Sequence, residues 1–107
     1  MDKDNERILF ANVIGECIKS LELDKGINQQ ELALRSGVPL RSLRRIEKGE
    51  VNVNVNVYSL RQVVLALGEE MPEFWRIVEK NMEVMGEEFP KVRRRLAKDV
   101  LREFNKK

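Results

Sequence analysis

The sequence predicts an all-α fold, a bundle of four to five helices with an extra C-terminal helix or helical hairpin. Three observations lead there. Apolar residues recur at three- and four-residue steps over most of the 107 positions, the spacing that lines one face of a helix. Most of the Gly and Pro residues fall between those segments, where helices end and begin. One run, "VNVNVNV" from Val51 to Val57, has the period of a strand but meets no partner strand elsewhere in the chain, and a lone strand leaves its backbone groups unpaired. With 42% apolar and 36% charged residues, the chain suits one small domain with an aliphatic core and a well-solvated surface.

The first helix spans roughly Asn5 to Leu23, with Ile8, Phe10, Ala11, Ile14, Cys17, Ile18 and Leu21 on its apolar side. It stops at "DKG": Lys25 complements the negative helix end, and Gly26 supplies a left-handed cap. Asn28 is the N-cap of a short second helix, with Glu31 in capping-box register. Leu32 and Ala33 face inward, and Gly37 closes it. In "VPLRSLRRIEKG", Pro39 fits the first turn of a third helix, Leu43 and Ile46 form its apolar side, and Gly49 ends it. Two short helices separated by "SGVP" form a tight helix–turn–helix.

The fourth helix, "YSLRQVVLALG", has Asn56 as its N-cap and Leu60, Val63, Val64 and Leu67 inward. The fifth, "PEFWRIVEKNMEVMGEEF", begins near Pro72 and carries Phe74, Val78, Met82 and Met85 on one stripe. The sixth, from Pro90, shows Val92, Leu96, Val100 and Phe104 at four-residue steps. That narrow seam suits packing on one partner.

Composition excludes much chemistry. The chain has no histidine and one cysteine, which removes His-based acid–base catalysis, His-containing triads, and His or thiolate metal sites. No Gly-rich phosphate loop is present. The expectation is a protein that is not an enzyme and has no metal or cofactor. Cys17, at helical spacing among apolar residues, reads as a small buried hydrophobe. No apolar run has the length of a membrane span and the N-terminus is unlike a signal peptide, so a cytoplasmic location is expected. The net charge of +2 conceals local blocks: −5 over residues 69–88, +6 over 89–107, and +4 over 35–48.

Residues 14–68, "IGECIKSLELDKGINQQELALRSGVPLRSLRRIEKGE…LRQVVLALG", resemble the lambda-repressor-like, XRE-type (Cro/C1-type) helix-turn-helix transcriptional regulators. Four features carry the resemblance in order: the "GINQQELA" opening, the "SGV" turn, the "IEKG" close and the "LRQVVLALG" fourth helix. The residues are coherent with it. Opposite Leu43 and Ile46, the third helix offers Arg41, Ser42, Arg44, Arg45 and Lys48, and arginine forks on an exposed helix engage guanine edges or phosphates in the major groove.

The resemblance implies double-stranded DNA as partner and a homodimer acting as a repressor on a palindromic operator. It implies a DNA-binding domain over residues 1–68 and a C-terminal extension over 69–107 for dimerisation or a protein partner. By position, Gln29 and Gln30 start the second helix, where Gln29 braces phosphate. Leu40 and Arg41 meet base edges, Leu40 through a thymine methyl. Ser42 and Arg45 continue that contact, Arg44 lies beside it, and Lys48 lies against phosphate. Leu32, Ala33, Val38, Leu43 and Ile46 are core.

The chain departs from the family at Glu22, where a basic residue often pairs with the acid at Glu47. Two acids repel, so Glu47 is expected to find Arg44 or Lys48 instead. The "VNVNVNV" run reads as an extended loop on the DNA side. Val57 and Val55 pack inward there, while Asn52 and Asn54 either reach phosphate or face solvent. Phe74, Trp75, Val78, Met82, Met85, Leu96, Val100 and Phe104 either form a dimer interface or complete the monomer core. The alternative function is an antitoxin-type module that grips a toxin and autoregulates through DNA.

Overall fold

The structure, a computed structural model, describes residues 3–50 and 56–85. Five helices lie within them: α1 (Lys3–Lys25), α2 (Gln29–Ser36), α3 (Leu40–Glu47), α4 (Val57–Ala66) and α5 (Met71–Met85). There is no strand among the described residues. The expected sixth helix, with Leu96, Val100 and Phe104, lies outside them, as do Asn52, Asn54 and Val55.

Local chemistry accounts for the boundaries. Asn28 is extended and its side chain accepts from the Glu31 N–H at 2.8 Å, satisfying a donor that the first turn of α2 leaves open. Asn56 does the same for α4, accepting from Tyr58 N–H at 2.8 Å and Ser59 N–H at 3.4 Å. Gly37, at φ 76°, ends α2 and returns its N–H to the Ala33 carbonyl.

α1 packs on α3 and α5, α2 packs on α3 and α4, and α4 meets α5. Leu9, Val13, Ile14, Cys17, Ile18 and Leu21 of α1 are buried, together with Leu32, Leu43, Leu60, Val63, Val64 and Leu67. The buried arc of α1 is wider than the predicted stripe, because two helices cover it. It takes in Leu9 and Val13, leaves Phe10 only partly buried, and also encloses Ser20 and Glu22.

One expectation is corrected, and one pair of alternatives is narrowed. Val57 is 71% exposed rather than inward. It is the first residue of α4, and Leu60, one turn later, is the first side chain of that helix to reach the core. Phe74, Val78 and Met85 are buried within the chain itself. Each such burial stabilises the fold by about 1.5–3 kcal/mol. Of the described interface candidates, Trp75 and Met82 are partly buried at the core's edge. Trp75 stacks on Phe10 with ring centroids 6.1 Å apart.

Candidate nucleic-acid interface

The turn between α2 and α3 is held from inside. The Ser36 hydroxyl donates to the Ala33 carbonyl at 3.3 Å and accepts from the Val38 N–H at 3.1 Å. Val38 is buried and Pro39 leads into α3 with φ −55°. The turn therefore fixes α3 relative to α2 by both packing and hydrogen bonds.

α3 divides sharply by face. Leu43, Ile46 and Glu47 are buried, while Arg41, Ser42, Arg44, Arg45 and Lys48 are exposed and Leu40 is half-buried. Arg45 Nε lies 3.4 Å from Glu50 Oε1 in an exposed pair. Arg41, Arg44 and Lys48 make no ion pair among the described residues. The four cations thus remain together on one outward face. Beside Leu40, a cleft of about 550 Å³ is lined by Gln30, Ala33, Leu34, Val38 and Pro39. Leu34 on its rim is 85% exposed.

The start of α2 is tied to the end of α3. Gln29 Nε2 donates to Glu47 Oε1 at 3.1 Å. Gln29, expected to brace phosphate, is held by its amide against the end of α3. Gln30 is exposed next to it. The expected pairing of Glu47 with Arg44 or Lys48 is corrected. Glu47 faces inward one turn beyond Leu43, whereas Arg44 and Lys48 point to solvent.

What meets Glu47 from α1 is Glu22, also buried. Burial first, then the hydrogen bond to Glu47 and its charge, push the Glu22 carboxyl up to about 8, against the opposing pull of Lys19. Sequence reasoning named Glu22 and Glu47 as a repelling pair but did not anticipate that Gln29 joins them. Gly15 was missed altogether: its backbone lies against the last carbonyls of α3.

Other chemistry is sparse. Burial, aided by Glu16, pushes the Cys17 thiol up to about 12, so it is a packing group. No cluster of three or more His, Cys, Asp or Glu that would hold a metal occurs among the described residues. No described helix is long and apolar enough to cross a membrane.

Comparison with known families decides what this arrangement is. The helix-turn-helix family model matches residues 18–74, more than half of the chain. The chain belongs to that family, of the XRE, Cro/C1 type. The match includes all of this helix-turn-helix protein's α2, α3 and α4 and the start of α5. It supports a DNA-binding transcription regulator. No curated protein and no solved structure matches the chain.

Proposed function

We propose that this helix-turn-helix protein binds double-stranded DNA sequence-specifically as a cytoplasmic homodimer and represses transcription from a palindromic operator. One observation carries the reading: α3 buries Leu43, Ile46 and Glu47 while exposing Arg41, Ser42, Arg44, Arg45 and Lys48 together. A helix presented this way fits the major groove, with arginines on base edges and phosphates. Arg41 and Arg45 read bases, Leu40 and the adjoining cleft meet a thymine methyl, and Lys48 and Arg44 contact phosphate. The first N–H groups of α2, at Gln29 and Gln30, have no intrahelical acceptor and suit a phosphate oxygen. The exposed edge of Trp75 and Met82 is the described surface that suits a second copy.

The experiment is selection of bound sequences from a random duplex pool, with the stoichiometry of the complex measured alongside. A palindrome bound by two chains is expected. Arg41→Ala and Arg45→Ala relax sequence preference, whereas Lys48→Ala weakens all sequences alike and lowers the salt slope by about one. Unchanged affinity and preference in both arginine variants would overturn the recognition-helix assignment.

A further inference from the structure

Glu22 and Glu47 are 7% and 3% exposed, and Glu47 acts on the Glu22 carboxyl across the joint between the packed helices α1 and α3. Glu47 Oε1 is satisfied by Gln29. The Oε2 atoms of both residues are buried and have no hydrogen-bond partner. Ionised carboxylates only accept, whereas a protonated carboxyl also donates. A single proton between the two side chains turns one into a donor and gives the facing carboxylate its missing partner.

We propose that Glu22 and Glu47 share one proton in the native state, and that this proton latches α1 to the end of the recognition helix, so that operator affinity falls when it is lost. The last clause rests on the DNA-binding reading. The charged groups acting on Glu22 are few. Glu47 faces it from α3, and Lys19, one turn back on α1, pulls the other way while lying 3.6 Å from Glu16. Gln29, from α2, is neutral. The direction of the Glu22 shift, toward holding its proton near neutral pH, agrees with the geometry.

The latch sits where it acts on the site. The backbone of α1 at Gly15 lies directly against the carbonyls of Ile46 and Glu47. Two ionised carboxylates confined in the α1–α3 joint repel. Their separation moves Glu47, and Gln29 with it, linking the joint to the start of α2 and the end of α3. A metal ion is the poorer occupant. It needs more ligands than two side chains supply, and no third acid joins them in a metal-holding group among the described residues.

The test is carboxyl carbon NMR titration of the full chain, compared with Glu22→Gln and Glu47→Gln. Operator affinity is measured in parallel at about pH 6.5 and about pH 8.5. In the native chain one glutamate carboxyl is expected to stay protonated up to about pH 8, and neither variant shows that late titration. Native affinity falls at least about threefold more across this range than that of Glu22→Gln, whose amide donates to Glu47 without a proton. Two outcomes overturn the shared proton: every glutamate titrating below about pH 6, or one magnesium or calcium ion binding per chain and displacing the proton. A late titration that affinity does not follow overturns the latch. Failure to bind DNA at either pH, with the late titration intact, overturns the DNA reading and leaves the shared proton standing.

Discussion

Gly15 and Glu47 touch backbone to backbone: a β-carbon on Gly15 would lie 2.5 Å from the Glu47 carbonyl oxygen and 2.9 Å from that of Ile46. At Gly15, α3 therefore rests on α1 backbone to backbone, with no side chain between them at that point. In an open helix, Gly→Ala stabilises by roughly 0.5–1 kcal/mol. Here the added methyl meets main chain that cannot rotate away, and overpacking costs about 1–3 kcal/mol. Gly15→Ala is expected to lower stability by about 1–2 kcal/mol in denaturant unfolding and to weaken operator binding by displacing α3. A raised midpoint would show that the two helices are not in this contact.

Gly26 and Gly49 separate backbone conformation from crowding. Both have φ 69°. A β-carbon at Gly26 meets nothing within 4 Å, whereas at Gly49 it would lie 2.9 Å from Asn12 Cα and 3.1 Å from the Ala11 carbonyl. Gly26→Ala is expected to cost about 1–2 kcal/mol, from the left-handed conformation alone. Gly49→Ala adds the overpacking term and costs about 2–4 kcal/mol. Equal unfolding midpoints for the two variants would contradict the close approach of Gly49 to α1.

These contrasts mark what the sequence could disclose. Asn28, Asn56, Gly26 and Gly37 act through their immediate neighbours in the chain, so capping and turn chemistry showed them without a fold. Leu32, Leu43, Leu60 and Val63 were legible because helical periodicity reports an inward face. Gly15 was not, since a glycine within a helix says nothing about which helix crosses it. Glu22 and Glu47 were visible as a departure from the family but not as a buried pair, because acids ordinarily stay in water. At Val57, alternation suggested an inward side chain, yet the start of α4 turned it outward. Phe74 and Val78 shared a stripe that suits a partner or a core equally, and only the position of α5 against α1 distinguished them.

Stability should carry the signature of Glu22. Its carboxyl is held at about 8 in the folded chain against an ordinary 4.5. Between those values the folded chain binds a proton that the unfolded chain has released. Stability from this group is therefore full below about pH 4.5, declines as pH rises toward 8, and levels beyond it. The slope is at most about 1.4 kcal/mol per pH unit. Thermal melts across this window, referenced to Glu22→Gln, should show the native chain losing ground steadily with rising pH. Parallel curves for the two proteins would remove the shift.

Glu50 restrains Arg45 on the basic face of α3. Its carboxylate lies 3.4 Å from Arg45 Nε, and both side chains are exposed, so the pair contributes only about 0–1 kcal/mol to the fold. On DNA the same carboxylate competes with base edges and phosphate for the Arg45 guanidinium and adds a negative charge near the duplex. Glu50→Gln is expected to leave unfolding stability within about 0.5 kcal/mol. It should tighten operator binding roughly two- to fivefold, the affinity equivalent of releasing one exposed ion pair and its charge. Fluorescence anisotropy at low and moderate salt checks this, with the larger gain at low salt because the effect is electrostatic. An affinity that is unchanged or weaker at both salts would place Arg45 away from the DNA and leave Arg41 as the base-reading arginine of α3.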